Sequence, residues 1–282
     1  MPTRLIAVAA ILITAVSSAA FGADPKPWGL GLPTPVSGTA ERIEAFHDLL
    51  LWIITAITIF VIILLGYVCV RFRESRNPTP SRTTHNTLVE VLWTVIPVLI
   101  LVAIAVPSFR LMYYADRVED ADMTLKVVGH QWYWSYEYPD HGNFTFDANM
   151  VAEADLKPGQ YRLMETDNRV VLPVGKKVRL LFTSTDVLHS WAISEFGVRL
   201  DAVPGRLNET WVEIDKPGVY YGFCSELCGV NHAYMPITVE AVPVEQFDAW
   251  VKDAQTRFAK VDEPSRPAGE PALRVAQTES GN

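Results

Sequence analysis

The sequence predicts a membrane-anchored all-β protein, in which a two-helix transmembrane hairpin carries one outer domain of short strands closed by a helix. Three observations predict it. Long apolar runs lie only before residue 110 of the 282. Two of them, Leu49–Val70 and Val91–Phe109, carry no charge and are long enough to span a bilayer. Beyond Tyr114 the texture changes to short runs rich in Val, Tyr, Trp, Ile and Thr, the mark of strands.

Residues 1–22 read as a secretory signal. Arg4 precedes an apolar core, Leu5–Val16, and small residues follow, with Ala20 and Gly22 suited to a cleavage site. The alternative is a third spanning helix, for which the run is short. The membrane helices are expected at about 46–71 and 88–110, within a segment 23–115. Pro97 and Pro107 are tolerated in a packed membrane helix. A soluble hairpin is the alternative, and the Arg-flanked, charge-free lengths oppose it. Between the spans lie Arg71, Arg73, Arg76 and Arg82, with Glu74 the one acid before Glu90. By the positive-inside rule this loop is cytoplasmic, so the domain at 116–262 lies outside.

Strands are expected at Leu125–Tyr138, Arg169–Leu172, Val178–Thr183, Glu209–Ile214, Val219–Phe223 and Ile237–Val242. Turns at Lys157-Pro158-Gly159 and Asp215-Lys216-Pro217-Gly218 separate some of them. Such a series indicates a sandwich or barrel. Phe247, Trp250, Val251, Ala254 and Phe258 form one stripe at helical spacing. The tail 263–282 is polar, without periodicity, and reads as disordered. Between Asp116 and Glu263 stand 24 acidic and 14 basic residues. An acidic outer domain argues against a nucleic-acid partner and for a basic one.

The chemistry concentrates in Cys224-Ser225-Glu226-Leu227-Cys228-Gly229-Val230-Asn231-His232-Ala233-Tyr234-Met235, with His189 upstream. Two thiols, a thioether and imidazoles are a soft set that selects copper. The second thiolate permits two coppers bridged by both sulfurs. A zinc tetrahedron of Cys224, Cys228, His232 and His189 is an alternative, but it leaves Met235 without a role. A Cys224–Cys228 disulfide is another in an oxidising compartment.

At this motif the chain resembles cytochrome c oxidase subunit II, of the bacterial type with two membrane helices. The resemblance extends to Gly129-His130-Gln131-Trp132-Tyr133-Trp134-Ser135-Tyr136-Glu137-Tyr138, Asp186-Val187-Leu188-His189-Ser190-Trp191 and Pro204-Gly205-Arg206-Leu207-Asn208. It implies a cupredoxin-like Greek-key β-barrel after the hairpin and a binuclear copper centre, CuA. His189 and His232 would each bind one copper, Cys224 and Cys228 would bridge both, Met235 would be a weak axial ligand, and Glu226 would offer its backbone carbonyl. The Glu226 carboxylate would reach a magnesium shared with the catalytic haem-bearing subunit I.

The same resemblance makes Trp132 the residue where electrons enter, with barrel packing as its blander role. Glu137, Asp147, Asp167 and Asp186 would dock cytochrome c; a solvated acidic surface is the alternative. Glu90 would open a proton path, or serve only as an acid at a helix N-terminus. The implied location is the bacterial inner membrane, with the copper domain periplasmic. The implied activity is that of a subunit of a proton-translocating oxidase whose oxygen chemistry lies elsewhere. A quinol oxidase subunit would lack the copper ligands, a copper-delivery protein would need no paired membrane helices, and a nitrous oxide reductase fragment would lack the hairpin. No Cys-x-x-Cys-His run occurs, which excludes a fused haem c domain of that type.

Overall fold

The computed structural model describes residues 31–118 and 120–259. The expected signal at 1–22 and tail at 263–282 lie outside the described residues. Helix α1 spans Gly38–Arg71 and α2 spans Thr87–Asp116. At 1.5 Å per residue the 34 residues of α1 reach about 51 Å, well beyond a ~30 Å hydrocarbon core. Both helices are therefore longer than the apolar runs, and the surplus joins them to the outer domain. Ser37 caps α1, its Oγ accepting from Ala40 N at 3.1 Å and donating to Phe196 O at 2.8 Å. Val36 N donates to Glu195 O, and Asp215 N to Val36 O. At the far end of α2, Trp211 Nε1 donates to Tyr114 O and Thr210 Oγ1 to Ala115 O. The guanidinium of Arg42 lies 4.0 Å above the Tyr114 ring. Pro97 and Pro107 sit inside α2.

The outer domain packs two five-stranded sheets. Strands β1 (Met123–His130), β2 (Tyr133–Tyr138), β3 (Phe144–Ala148), β5 (Lys177–Ser184) and β8 (Asn208–Glu213) form one, ordered β3-β2-β1-β5-β8. Strands β4 (Val170–Pro173), β6 (His189–Ile193), β7 (Val198–Ala202), β9 (Gly218–Cys224) and β10 (Pro236–Val242) form the other, ordered β4-β10-β9-β6-β7. Helix α3 (Val244–Arg257) buries Phe247, Val251 and Ala254. β1 and β5 alternate buried and half-buried side chains, so each shows one face to the core. Large aromatics fill the space between the sheets, and their polar ends are satisfied across it. Tyr138 Oη donates to Val171 O, and Trp191 Nε1 donates to Tyr136 Oη.

The run expected as one strand over Leu125–Tyr138 is a hairpin. β1 pairs antiparallel with β2, His130 opposite Tyr133, with Gln131 and Trp132 at the tip. β3, β6 and β7 were not expected. β6 joins β9 with Trp191 opposite Cys224, which sets the start of one strand against the end of the other.

Candidate metal centre

His189 is the first residue of β6, Cys224 the last of β9, and Met235 immediately precedes β10. The loop between Cys224 and Met235 folds back so that all the donor side chains meet. Cys224 Sγ lies 3.8 Å from His189 Nδ1 and 3.3 Å from Glu226 O. Cys228 Sγ lies 3.5 Å from His232 Nδ1 and 3.5 Å from Met235 Sδ. The two sulfurs are 3.9 Å apart and unbonded, against about 2.05 Å in a disulfide. Each sulfur thus has a nearest imidazole and a further donor, and His232 also reaches Cys224. His189, Cys224, Cys228 and Met235 are buried, and His232 is half-buried at the rim.

Burial opposes ionisation of the Cys224 thiol, but contacts with His189, with the backbone of Ser190 and Glu226, and with His232 outweigh it and bring it to about 7. Cys228 moves the other way, held up first by burial and then by the charge on Cys224. A negative charge on Cys224 thus opposes one on Cys228. For Asp186, burial is outweighed by hydrogen bonds from His189 and from Val187 N and Gln131 N, which lower its carboxyl to about 2. Asp186 Oδ1 is 2.9 Å from His189 Nε2, fixing the ring with Nδ1 towards the sulfur. Gly129 makes room for that ring, since a Cβ there would lie 2.8 Å from His189 Cδ2.

Two thiols, a thioether and two imidazoles suit soft or borderline metals. One tetrahedral zinc would take both cysteines and both histidines and leave the buried Met235 sulfur, aimed at Cys228, unused.

Residues 123–242 match the family described as cytochrome c oxidase subunit II, periplasmic domain, and residues 25–111 match its transmembrane domain. The chain belongs to the cytochrome c oxidase subunit II family. It is 51% identical to the probable cytochrome c oxidase subunit 2 of Rickettsia felis, over 87% of this chain and 78% of that one. It is 48% identical to cytochrome c oxidase subunit 2 of Phytophthora megasperma, over 81% and 88%. The crystal structure of the periplasmic domain of subunit II of cytochrome oxidase from Bradyrhizobium japonicum is 50% identical, covering 51% of this chain and all of that one, with a TM-score of 0.48. The family accounts for the two apolar helices followed by a cupredoxin-like sheet domain and a closing helix.

Within this subunit II fold the other singled-out residues fall in distinct places. Trp132, at the β1–β2 tip, is half-buried, and its Nε1 donates to Cys228 O at 3.2 Å. Trp134 is wholly buried, edge-on to His189, and donates to Met235 O. Glu137 pairs with Lys126 at 2.8 Å. Asp147 is exposed on β3 and accepts from Ser135 Oγ; Asp167 accepts from the backbone of Asn149 and Asn168. Asp186 is exposed at the surface and also bonds His189 of the candidate centre. Glu90, in the first turn of α2, accepts from Asn86 N at 3.2 Å. The Glu226 side chain lines an open cavity of about 640 Å³ with Asp116, Arg199, Asp201, Arg206 and Glu209. Gly129 and Gln131 also contact the site, through neighbours distant in the chain that no local sequence signal marks.

Proposed function

We propose that this subunit takes electrons singly from cytochrome c on the periplasmic face and hands them to the haem-bearing catalytic subunit, where oxygen is reduced and protons are pumped. The observation that carries this reading is the convergence of His189, Cys224, Cys228, His232, Met235 and the Glu226 carbonyl about two sulfurs 3.9 Å apart. Two copper ions held by these donors would supply a one-electron redox centre with its charge spread over both metals. The chain's own contribution is rigidity. The ligands stand on strand ends and on a loop fastened at both edges, so little need move when charge arrives. Burial excludes water from the sulfurs, and Asp186 holds the His189 ring.

Trp132, half-buried at the β1–β2 tip with its indole against Cys228 O, would receive the electrons. Glu137, Asp147, Asp167 and Asp186 contribute negative potential that would steer a basic cytochrome c. Glu226 lines a charged cavity with Asp116, Arg199 and Arg206, and its carboxylate would share a magnesium with the catalytic subunit. Glu90 is proposed to open a proton path from the cytoplasm. Its observed bond to Asn86 N also fits helix capping alone. Glu90→Ala should slow turnover of the assembled oxidase without slowing copper reduction; the reverse pattern would contradict the role. Residues 1–22 are proposed as a signal that sends the domain at 116–262 across the membrane.

The test of electron acceptance is stopped-flow mixing of the copper-loaded full-length chain in detergent with reduced cytochrome c. Fast, salt-sensitive oxidation of the cytochrome is expected. A copper-loaded chain that leaves cytochrome c reduced would contradict it.

A further inference from the structure

We propose that Gln131 is a positioning residue, locking the Cys228 segment of the metal loop and Trp132 into one register. The tip of the β1–β2 hairpin is tied down at three points. Gln131 N donates to Asp186 Oδ2 at 2.6 Å. Gln131 Nε2 donates to Cys228 O at 2.7 Å, and Trp132 Nε1 donates to the same oxygen at 3.2 Å. Two successive residues thus converge on one carbonyl almost a hundred positions away, and the shorter bond is the glutamine's.

Gly229 shows how closely the tip presses on the loop. Its φ is +121°, and a Cβ there would lie 3.1 Å from Gln131 Nε2 and 3.1 Å from Trp132 Cζ2. An exposed glutamine ordinarily spends its amide on water. Here the amide is committed to the backbone of a metal-loop cysteine, and the same residue's N–H is committed to the carboxylate that orients His189. Gln131 therefore spans the two halves of the donor set, the Cys224–His189 half through Asp186 and the Cys228 half directly. Trp132, next in the chain, inherits its place from this brace. The proposed consequence for electron transfer rests on the reading above; the brace itself does not.

Gln131→Met keeps the side chain's length and removes its donor, at an exposed position where folding is not at stake. The first measurement needs no metal. The full-length chain in detergent is alkylated with iodoacetamide, and the rates at Cys224 and Cys228 are followed separately by fragment-ion mass spectrometry. Gln131→Met should speed Cys228 about fivefold, the factor that losing one such hydrogen bond gives to local opening, and leave Cys224 near its parent rate. An equal change at both cysteines, or none at either, would overturn the proposal. The second uses the copper-loaded chain. Transfer within the bound cytochrome c complex should fall about tenfold with KM unchanged, a usual scale for loss of an outer-shell contact. A raised KM with normal transfer once bound would make Gln131 a docking residue and overturn the proposal. A parent chain that takes up no copper would remove the electron-transfer reading and leave the alkylation comparison standing.

Discussion

His189 Nε2 and Asp186 Oδ1 lie 2.9 Å apart, so a residue expected at the cytochrome c docking surface is hydrogen-bonded to an imidazole of the candidate metal centre. The two roles are separable by experiment. Asp186→Asn keeps an acceptor for the ring and loses the charge, whereas Asp186→Ala loses both. Copper competition against a chelator should show near-parent affinity for Asp186→Asn and a loss of about 10–100-fold for Asp186→Ala. A steering role alone predicts equal affinity for the two variants and a raised KM for cytochrome c at low salt in both.

Changes at the ligands should be graded. Cys224→Ser or Cys228→Ser removes one of the two shared sulfurs and should abolish a two-copper centre. Met235→Leu removes a sulfur that lies 3.5 Å from Cys228 Sγ. Copper should remain there while the midpoint potential shifts. Equal loss of copper in all three variants, measured by metal analysis, would contradict Met235 as the weaker ligand.

Much of this site was legible in the sequence because its ligands fall on one short loop. Cys224, Cys228, His232 and Met235 are spaced within twelve residues, and a loop closing onto a strand end cannot scatter them far. Other features left little pattern. β6 is buried at all five positions, so His189–Ile193 shows no alternation. The turn at Gln131-Trp132 contains no Gly, Asn, Asp or Pro, so β1 and β2 read as one strand. α1 starts earlier than its apolar run because its first turn is held by the outer domain, with Ser37 bonded to Phe196 O and Thr39 and Ala40 buried, ahead of the charged Glu41, Arg42 and Glu44. The partners of Gln131 and Asp186 are contacts across the fold, which local sequence does not encode.

Trp132 and the acidic residues should fail in different ways. Trp132→Ala leaves the charged rim intact, so binding of cytochrome c should stay near normal. Flash-induced transfer inside the preformed complex should fall by orders of magnitude, because the indole that touches Cys228 is gone. Weaker binding with normal transfer once bound would make Trp132 a docking or packing residue, with Tyr133 and Trp134 the next candidates.

Glu195 supplies a pH test of the outer domain. It is buried where the chain enters α1, and burial raises its carboxyl above the ordinary range. The folded state then holds its proton more tightly than the unfolded state does. Its contribution to stability is greatest below the ordinary glutamate pKa and is lost as pH rises through the folded value. Glu195→Gln should raise the thermal midpoint at pH 7 by a few degrees and flatten that part of the pH profile. An unchanged profile in thermal unfolding would mean that the carboxylate finds compensation.

The convergence of two sulfurs, two imidazoles and a thioether on one candidate centre is most directly tested by metal content and electron paramagnetic resonance together. The full-length chain, purified in detergent and loaded with copper, should bind two coppers and turn purple. With one electron removed from the fully reduced centre, the unpaired spin should be shared equally by both nuclei and give a seven-line hyperfine pattern. A colourless zinc protein, or a single copper with four lines, would contradict it.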